Sequence, residues 1–214
     1  SYGWLPAGNG PDCYIEVGSI PYALGLELRE PLNTRGYLRP SPDIRKRLAA
    51  RLTGLAEGRK KVGIVWASGA SNFQRSSNYP ALRLWKHTLD LPNCCFFSLQ
   101  YGDVLAQTAE FERETGVAVC TLEDLDFRSD METLAATLAE LDLVIGVGTA
   151  TTALAGAVGT KTIELASNLG WVPLLDGNDG LLGAIQCISQ RTLGDWTPVM
   201  AQTRQIAMNY LTNP

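Results

Sequence analysis

From Lys61 onward, short apolar runs alternate with stretches of helical spacing. Val62-Gly63-Ile64-Val65-Trp66 reads as a buried strand, and Cys94-Cys95-Phe96-Phe97-Ser98-Leu99 as a second. Val117 to Cys120, Leu141 to Val147 and Thr160 to Leu165 complete a set of five. Residues 80–89 and 103–115 read as helices between them. Met131 to Glu140 is an amphipathic helix with Leu134 and Leu138 on one face, and Thr149 to Val158 is a helix of small residues. A last helix spans about Trp196 to Leu211. Strands without a polar face, alternating with helices, predict a doubly wound, Rossmann-like α/β domain built on a parallel sheet.

The pattern before Lys61 is different. Gly and Pro recur through the first forty residues, and no long periodic element survives among them. Residues 1–59 therefore read as a connecting segment that must lie on something, with residues 60–214 as the folded domain. Ser41-Pro42-Asp43 opens a bridging helix, Ser as N-cap and Pro at the first helical position. That helix carries Ile44, Leu48 and Leu52 at helical spacing, shows a basic face of Arg45, Lys46, Arg47 and Arg51, and should stop at Gly58.

The 214 residues carry 45% hydrophobic and 19% charged side chains, enough for a sizeable core and too apolar for disorder. No apolar run is long enough for a membrane span, and the first residues lack the form of a signal peptide. Net charge is −4, with nine basic against six acidic residues in the first sixty. That balance disfavours binding to nucleic acid. Five sparse cysteines, two of them adjacent, fit neither a disulfide framework nor a metal site, which points to a reducing, cytoplasmic setting.

In a parallel sheet, ligands bind beyond the carboxyl ends of the strands. The loop Gly146-Val147-Gly148-Thr149-Ala150-Thr151-Thr152 leaves a strand and enters a helix through hydroxyl residues. Free N–H groups and the positive end of the dipole make such a start a phosphate site; the other reading is plain turn chemistry, with Thr149 as cap. Gly156 to Thr162 imitates a P-loop, but the GxxxxGK[ST] spacing fails and the order is helix to strand. Thr151 stands where a dinucleotide fingerprint needs its third glycine. His87, the sole histidine, supports neither metal binding nor a nucleophile relay. Glu123, Asp124, Asp126 and Asp130 read as a helix-entry loop, with metal binding as the rival. Arg75, beyond the first strand's loop, stands where it could grip a phosphate or simply be solvated.

Several of these pieces together resemble one family. Lys61 to Trp66, then Phe97-Ser98-Leu99-Gln100-Tyr101-Gly102-Asp103, Leu141 to Ile145, Leu154 to Gly159 and Gly194-Asp195-Trp196 are similar to the C-terminal, donor-binding half of GT-B glycosyltransferases of the bacterial heptosyltransferase-like type. Ser19 to Gly25 and Gly36 to Pro40 resemble the crossover from the other half. Such halves often follow tetratricopeptide repeats, and O-linked N-acetylglucosamine transferases are more distant relatives.

The resemblance implies a nucleotide-sugar substrate whose diphosphate lies over Gly148, Thr149, Ala150 and Thr151. Ser68, Gly69 and Arg75 would face it from the first loop and Gln100 from the second. Nothing in the sequence requires a metal, the nucleotide-sugar is a substrate with no cofactor expected beside it, and the resemblance implies a partner in the missing N-terminal half or repeat domain of a longer chain. The catalytic base belongs to that other half, so no catalytic residue is assigned. Two family positions differ: Gly148 stands for an Asp and Ala153 for a His, and the family's Trp-Tyr-Pro run is missing near Gly180 to Gly183. The expected activity is transfer of a sugar to an acceptor hydroxyl; the alternative is a catalytically inactive module that keeps the fold.

Overall fold

The computed structural model describes residues 14–16, 19–25, 36–68, 78–102, 104–167 and 183–212. Among these residues six strands form one sheet: β1 (Lys60–Val65), β2 (Cys94–Ser98), β3 (Val119–Cys120), β4 (Leu143–Val147), β5 (Thr162–Ala166) and β6 (Ile185–Ser189). Every pairing is parallel and the order is β3-β2-β1-β4-β5-β6. The doubly wound α/β expectation holds, with four strands within a residue or two of their expected positions. The third strand shrinks to two residues. The sixth was not foreseen in the sequence.

Among the described residues seven helices accompany the sheet: α1 (Ile20–Ala23), α2 (Pro42–Ala56), α3 (Trp85–Leu89, entered through a 3-10 turn at Leu82–Leu84), α4 (Leu105–Thr115), α5 (Met131–Leu138), α6 (Ala150–Val158) and α7 (Thr197–Thr212). One face of the sheet packs Val62, Ile64, Phe96, Leu143, Ile145 and Ile163 against Trp85 and Leu89 of α3, Phe111 of α4 and Val199, Met200 and Ala207 of α7. The opposite face packs Val65, Cys95, Phe97 and Val144 against Leu52 and Ala56 of α2, Leu134 and Leu138 of α5 and Ala155 of α6. Burying apolar surface on both faces explains why the strands show no alternation.

The bridging helix α2 belongs to this second layer. Leu48 and Leu52 are buried, and two residues of its basic face are paired: Arg45 with Glu140, and Arg51 in a two-pronged contact with Asp124. The helix ends one residue before the expected stop, since Glu57 itself takes the left-handed conformation at φ 50° and Gly58 follows at φ 82°. Asp130 caps α5 by accepting from the Thr133 N–H at 2.9 Å, and Asp126 accepts from the N–H groups of Arg128 and Ser129. The acidic run is thus a helix-entry loop. Cys94, Cys95, Cys120 and Cys187 form no disulfide among the described residues; burial, then the neighbouring Cys120, pushes the Cys95 thiol up to about 11.

Segment 36–41 docks at the far end of α6. The N–H groups of Tyr37 and Leu38 both donate to the Ala157 carbonyl, at 2.7 and 2.9 Å. Gly36, at φ 70°, lies so close to the backbone of Val158 and Gly159 that a Cβ there has no room. The Ser41 N–H then donates to Glu132 at the start of α5.

Candidate functional site

Consecutive connections leave β1 and β4 toward opposite edges of the sheet, so the carboxyl ends of these adjacent strands are the topological switch point, where a crevice opens. Val65 pairs with Gly146, so the loop after β1 and the turn into α6 leave the sheet side by side. Ser68 lies half-buried on the first of these, and Gly148 and Thr149 on the second. Gly69 and Arg75 lie outside the described residues.

The β4–α6 turn is built to present backbone. Gly148 and Ala150 are exposed while Thr151 and Thr152 are buried beneath them. Thr149 sits in extended conformation (φ −144°, ψ 172°), the geometry of an N-cap. Its N–H donates to the Thr152 hydroxyl at 3.0 Å. The Thr149 hydroxyl faces the Thr152 N–H in capping-box arrangement without closing a hydrogen bond, leaving its oxygen buried and unpartnered. The first-turn N–H groups of α6 have no intrahelical acceptor, and the helix dipole adds positive potential there. Turn chemistry and an anion-receptive start therefore coexist at one place.

Gln100 does something other than face the crevice directly. It is buried at the end of β2, and its Oε1 accepts from the N–H groups of Trp66 (3.3 Å) and Ala67 (3.0 Å). Trp66 Nε1 in turn donates to Gln107 on α4. These contacts fix how the first loop leaves β1.

Two features escaped the sequence reading. A cavity of about 370 Å³ opens at the carboxyl ends of β2 and β3, lined by Ser98, Gln100, Tyr101, Thr121, Leu122 and Phe127 among others. The second is Glu164, which reaches from β5 to the α6 start, where its Oε2 accepts from the Thr152 hydroxyl at 2.7 Å. A charged residue inside a buried strand was the signal available for it. His87 is exposed on α3, and no group of three or more potential metal ligands occurs among the described residues.

The architecture is similar to that of solved glycosyl transferase structures. The glycosyl transferase family 9 structure from Veillonella parvula DSM 2008 aligns over 91% of this chain and 59% of its own, with TM-score 0.62 and 13% identity. E. coli ADP-heptose lps heptosyltransferase II aligns over 80% of this chain and 52% of its own, with TM-score 0.58 and 11% identity. The fold is that of the heptosyltransferases. E. coli heptosyltransferase WaaC with ADP has the same heptosyltransferase architecture, over 82% of this chain and 52% of its own, with TM-score 0.54 and 13% identity. The chain thus spans a little over half of each of these heptosyltransferase structures.

By sequence, the chain is 34% identical to protein FlbA of Caulobacter vibrioides over 166 residues, which are 78% of this chain and 28% of that protein. No protein-family model matches the sequence.

Proposed function

We propose that this chain is the C-terminal, donor-binding half of a GT-B glycosyltransferase, transferring a sugar from a nucleotide-sugar to an acceptor hydroxyl. The observation that carries the reading is the exposed β4–α6 turn at the switch point of a heptosyltransferase-like fold. In this reading the N–H groups of Ala150 and Thr151 take the phosphates, with Arg75 as a cationic partner, and stabilise the diphosphate as it leaves. Ser68 and Gly69 flank them. Gln100 acts by holding the β1 exit loop in place. The cavity beside Gln100 is of a size for the nucleoside, within the usual range for small-ligand sites.

The acceptor and the catalytic base then come from an N-terminal half or repeat domain of a longer chain, with residues 1–59 as the connection. The reaction runs in the cytoplasm, where nucleotide-sugars are at hand. One observation favours a second reading, an inactive binding module. Gly148 and Ala153 are both exposed, and neither supplies the Asp or His that the resemblance to the family implies at those positions.

Calorimetric titration of UDP-, GDP-, ADP- and CMP-sugars into the protein tests the proposal. One of them is expected to bind, and Arg75→Ala to weaken it by about 1.5–3 kcal/mol, the scale of a hydrogen bond to a charged group. Absence of binding at millimolar concentration rejects the donor site. Binding without transfer, in a chain that includes the other half, selects the inactive module.

A further inference from the structure

We propose that Cys95 and Cys120 form a reversible modification site: a peroxide joins the two thiols in a disulfide, and closing that bond reshapes the cavity wall at Thr121 and Leu122. The two sulfurs already meet across neighbouring strands, Sγ to Sγ at 3.7 Å. β3 pairs with β2 through Phe96 and Val119 and through Phe97 and Cys120, so residues 95, 97 and 120 share one face of the sheet. Both thiols pack into one apolar cluster with Phe97, Leu122 and Phe127. Cys94 points to the opposite face, where its S–H donates to the Pro92 carbonyl, and Cys187 lies in β6 at the far edge. Cys13 lies outside the described residues.

The two cysteines differ in access, and that divides the chemistry between them. Cys95 is 2% exposed, its S–H donates to the Leu55 carbonyl of α2 at 3.7 Å, and burial keeps it protonated, up at about 11. Cys120 is only half-buried, on the edge strand, where an oxidant can reach it. Its sulfur attacks the peroxide, the O–O bond breaks, and a sulfenic acid and one water result. The Cys95 sulfur then attacks that sulfur; the S–S bond forms, the S–O bond breaks, and the hydroxyl leaves with the Cys95 proton as a second water. Two thiols are oxidised and one peroxide is reduced. A thiol reductant reverses the bond by exchange.

Closure requires movement. Disulfide sulfurs stand about 2.05 Å apart, closer than the thiols are now. Cys95 also precedes Phe97, the partner of Cys120, by two residues, so the bridge runs diagonally between the strands. β3 must lean to close it, and an edge strand of two residues has little to hold it back. Thr121 and Leu122 follow Cys120 directly and line the cavity of about 370 Å³, so they move with it. A bridge closed under strain is readily reduced, as a regulatory disulfide in a reducing compartment has to be.

The test treats the protein with hydrogen peroxide, maps its disulfides by peptide mass, and follows amide exchange over residues 121–127. Wild type is expected to yield a Cys95–Cys120 peptide that a thiol reductant removes. Exchange over 121–127, where the Leu125 N–H donates to the Leu122 carbonyl, should change on oxidation and return on reduction. Cys95→Ser should give no bridge and leave a sulfenic acid on Cys120, captured by a cyclic dione; if that variant folds poorly, the wild-type readouts decide alone. Thiols that stay reduced, a sulfinic acid on Cys120 without a bridge, or a bridge from Cys120 to Cys13 overturns the site. A Cys95–Cys120 bridge that leaves exchange over 121–127 unchanged overturns its control of the cavity. Neither readout uses a nucleotide, so failure here leaves the donor-site reading standing.

Discussion

The two ends of α6 solve the same problem in opposite ways. At its C-terminus the orphan carbonyls are met from within the chain: Ala157 accepts from Tyr37 and Leu38, and Gly159 closes the turn at φ 87°. At its N-terminus the turn stops short of closure. Thr149 holds an unpartnered hydroxyl, Gly148 and Ala150 face solvent, and the Glu164 carboxylate lies below, bonded to Thr152. One nine-residue helix is sealed to the fold at one end and left receptive at the other. Where a protein satisfies every backbone group it builds structure; where it leaves donors aligned and open it can host a ligand.

The sealed end should be the more fragile to substitution. Gly36→Val adds a side chain to a backbone at positive φ pressed against Val158 and Gly159, so a stability loss of about 2–4 kcal/mol is expected in urea unfolding. Nucleotide affinity in the protein that remains folded should hardly change. A stability loss below 0.5 kcal/mol, on the order of an ordinary surface substitution, would mean that the joint is not tight.

The open end should respond in the reverse sense. Ala150→Pro removes one donor, and both the first helical position and the extended Thr149 before it accommodate proline. Calorimetry should show nucleotide binding weakened by about 1.5–3 kcal/mol, with stability within about 1 kcal/mol of wild type. Equal losses in both would erase the distinction between the ends.

Thr152→Val tests what lies between. It removes the hydroxyl that accepts from Thr149 and donates to Glu164 in a fully buried position, so a loss of about 1–2 kcal/mol is expected by thermal denaturation.

The smallest effect is set by pH and concerns a neighbouring helix. Asp130 is held below the usual carboxylate range by the Thr133 N–H and hydroxyl, and Asp126 by the N–H groups of Arg128 and Ser129. Folded values below the unfolded one, about 3.9, mean stabilisation that is present above that pH and lost as pH falls through the folded values. Amide exchange or circular dichroism below pH 4 (approximately the unfolded carboxylate value) should show the α5 start loosening, and Asp130→Asn should flatten that dependence.

Much of the architecture was readable because the central strands are long apolar runs bounded by helices. Leu143–Val147 and Cys94–Ser98 carry no polar alternation, which only a doubly covered sheet explains. Ile185–Ser189 was missed because it is an outer strand with Gln186 half-exposed and bonded to Tyr210, so its apolar run is broken. β3 was overestimated because Val117 and Ala118 are as apolar as the two residues that pair.

At the candidate site, the Gly148-Thr149 turn was visible as glycine followed by hydroxyl residues entering a helix. The engagement of Gln100 with Trp66 and Ala67, and of Glu164 with Thr152, joins residues from different strands and helices that no periodicity links. The docking of Gly36 on Gly159 is of the same kind, since each glycine taken alone reads as a local turn.

The shared Ala157 acceptor also sets a clock. The Tyr37 and Leu38 amides exchange with solvent only when segment 36–41 lifts from the end of α6, whereas buried strand amides await a larger opening. Their exchange rates, measured residue by residue, therefore report the free energy of that one detachment separately from global unfolding. A ligand that binds the opposite end of α6 and slows them would show the two ends of the helix to be dynamically coupled across its length.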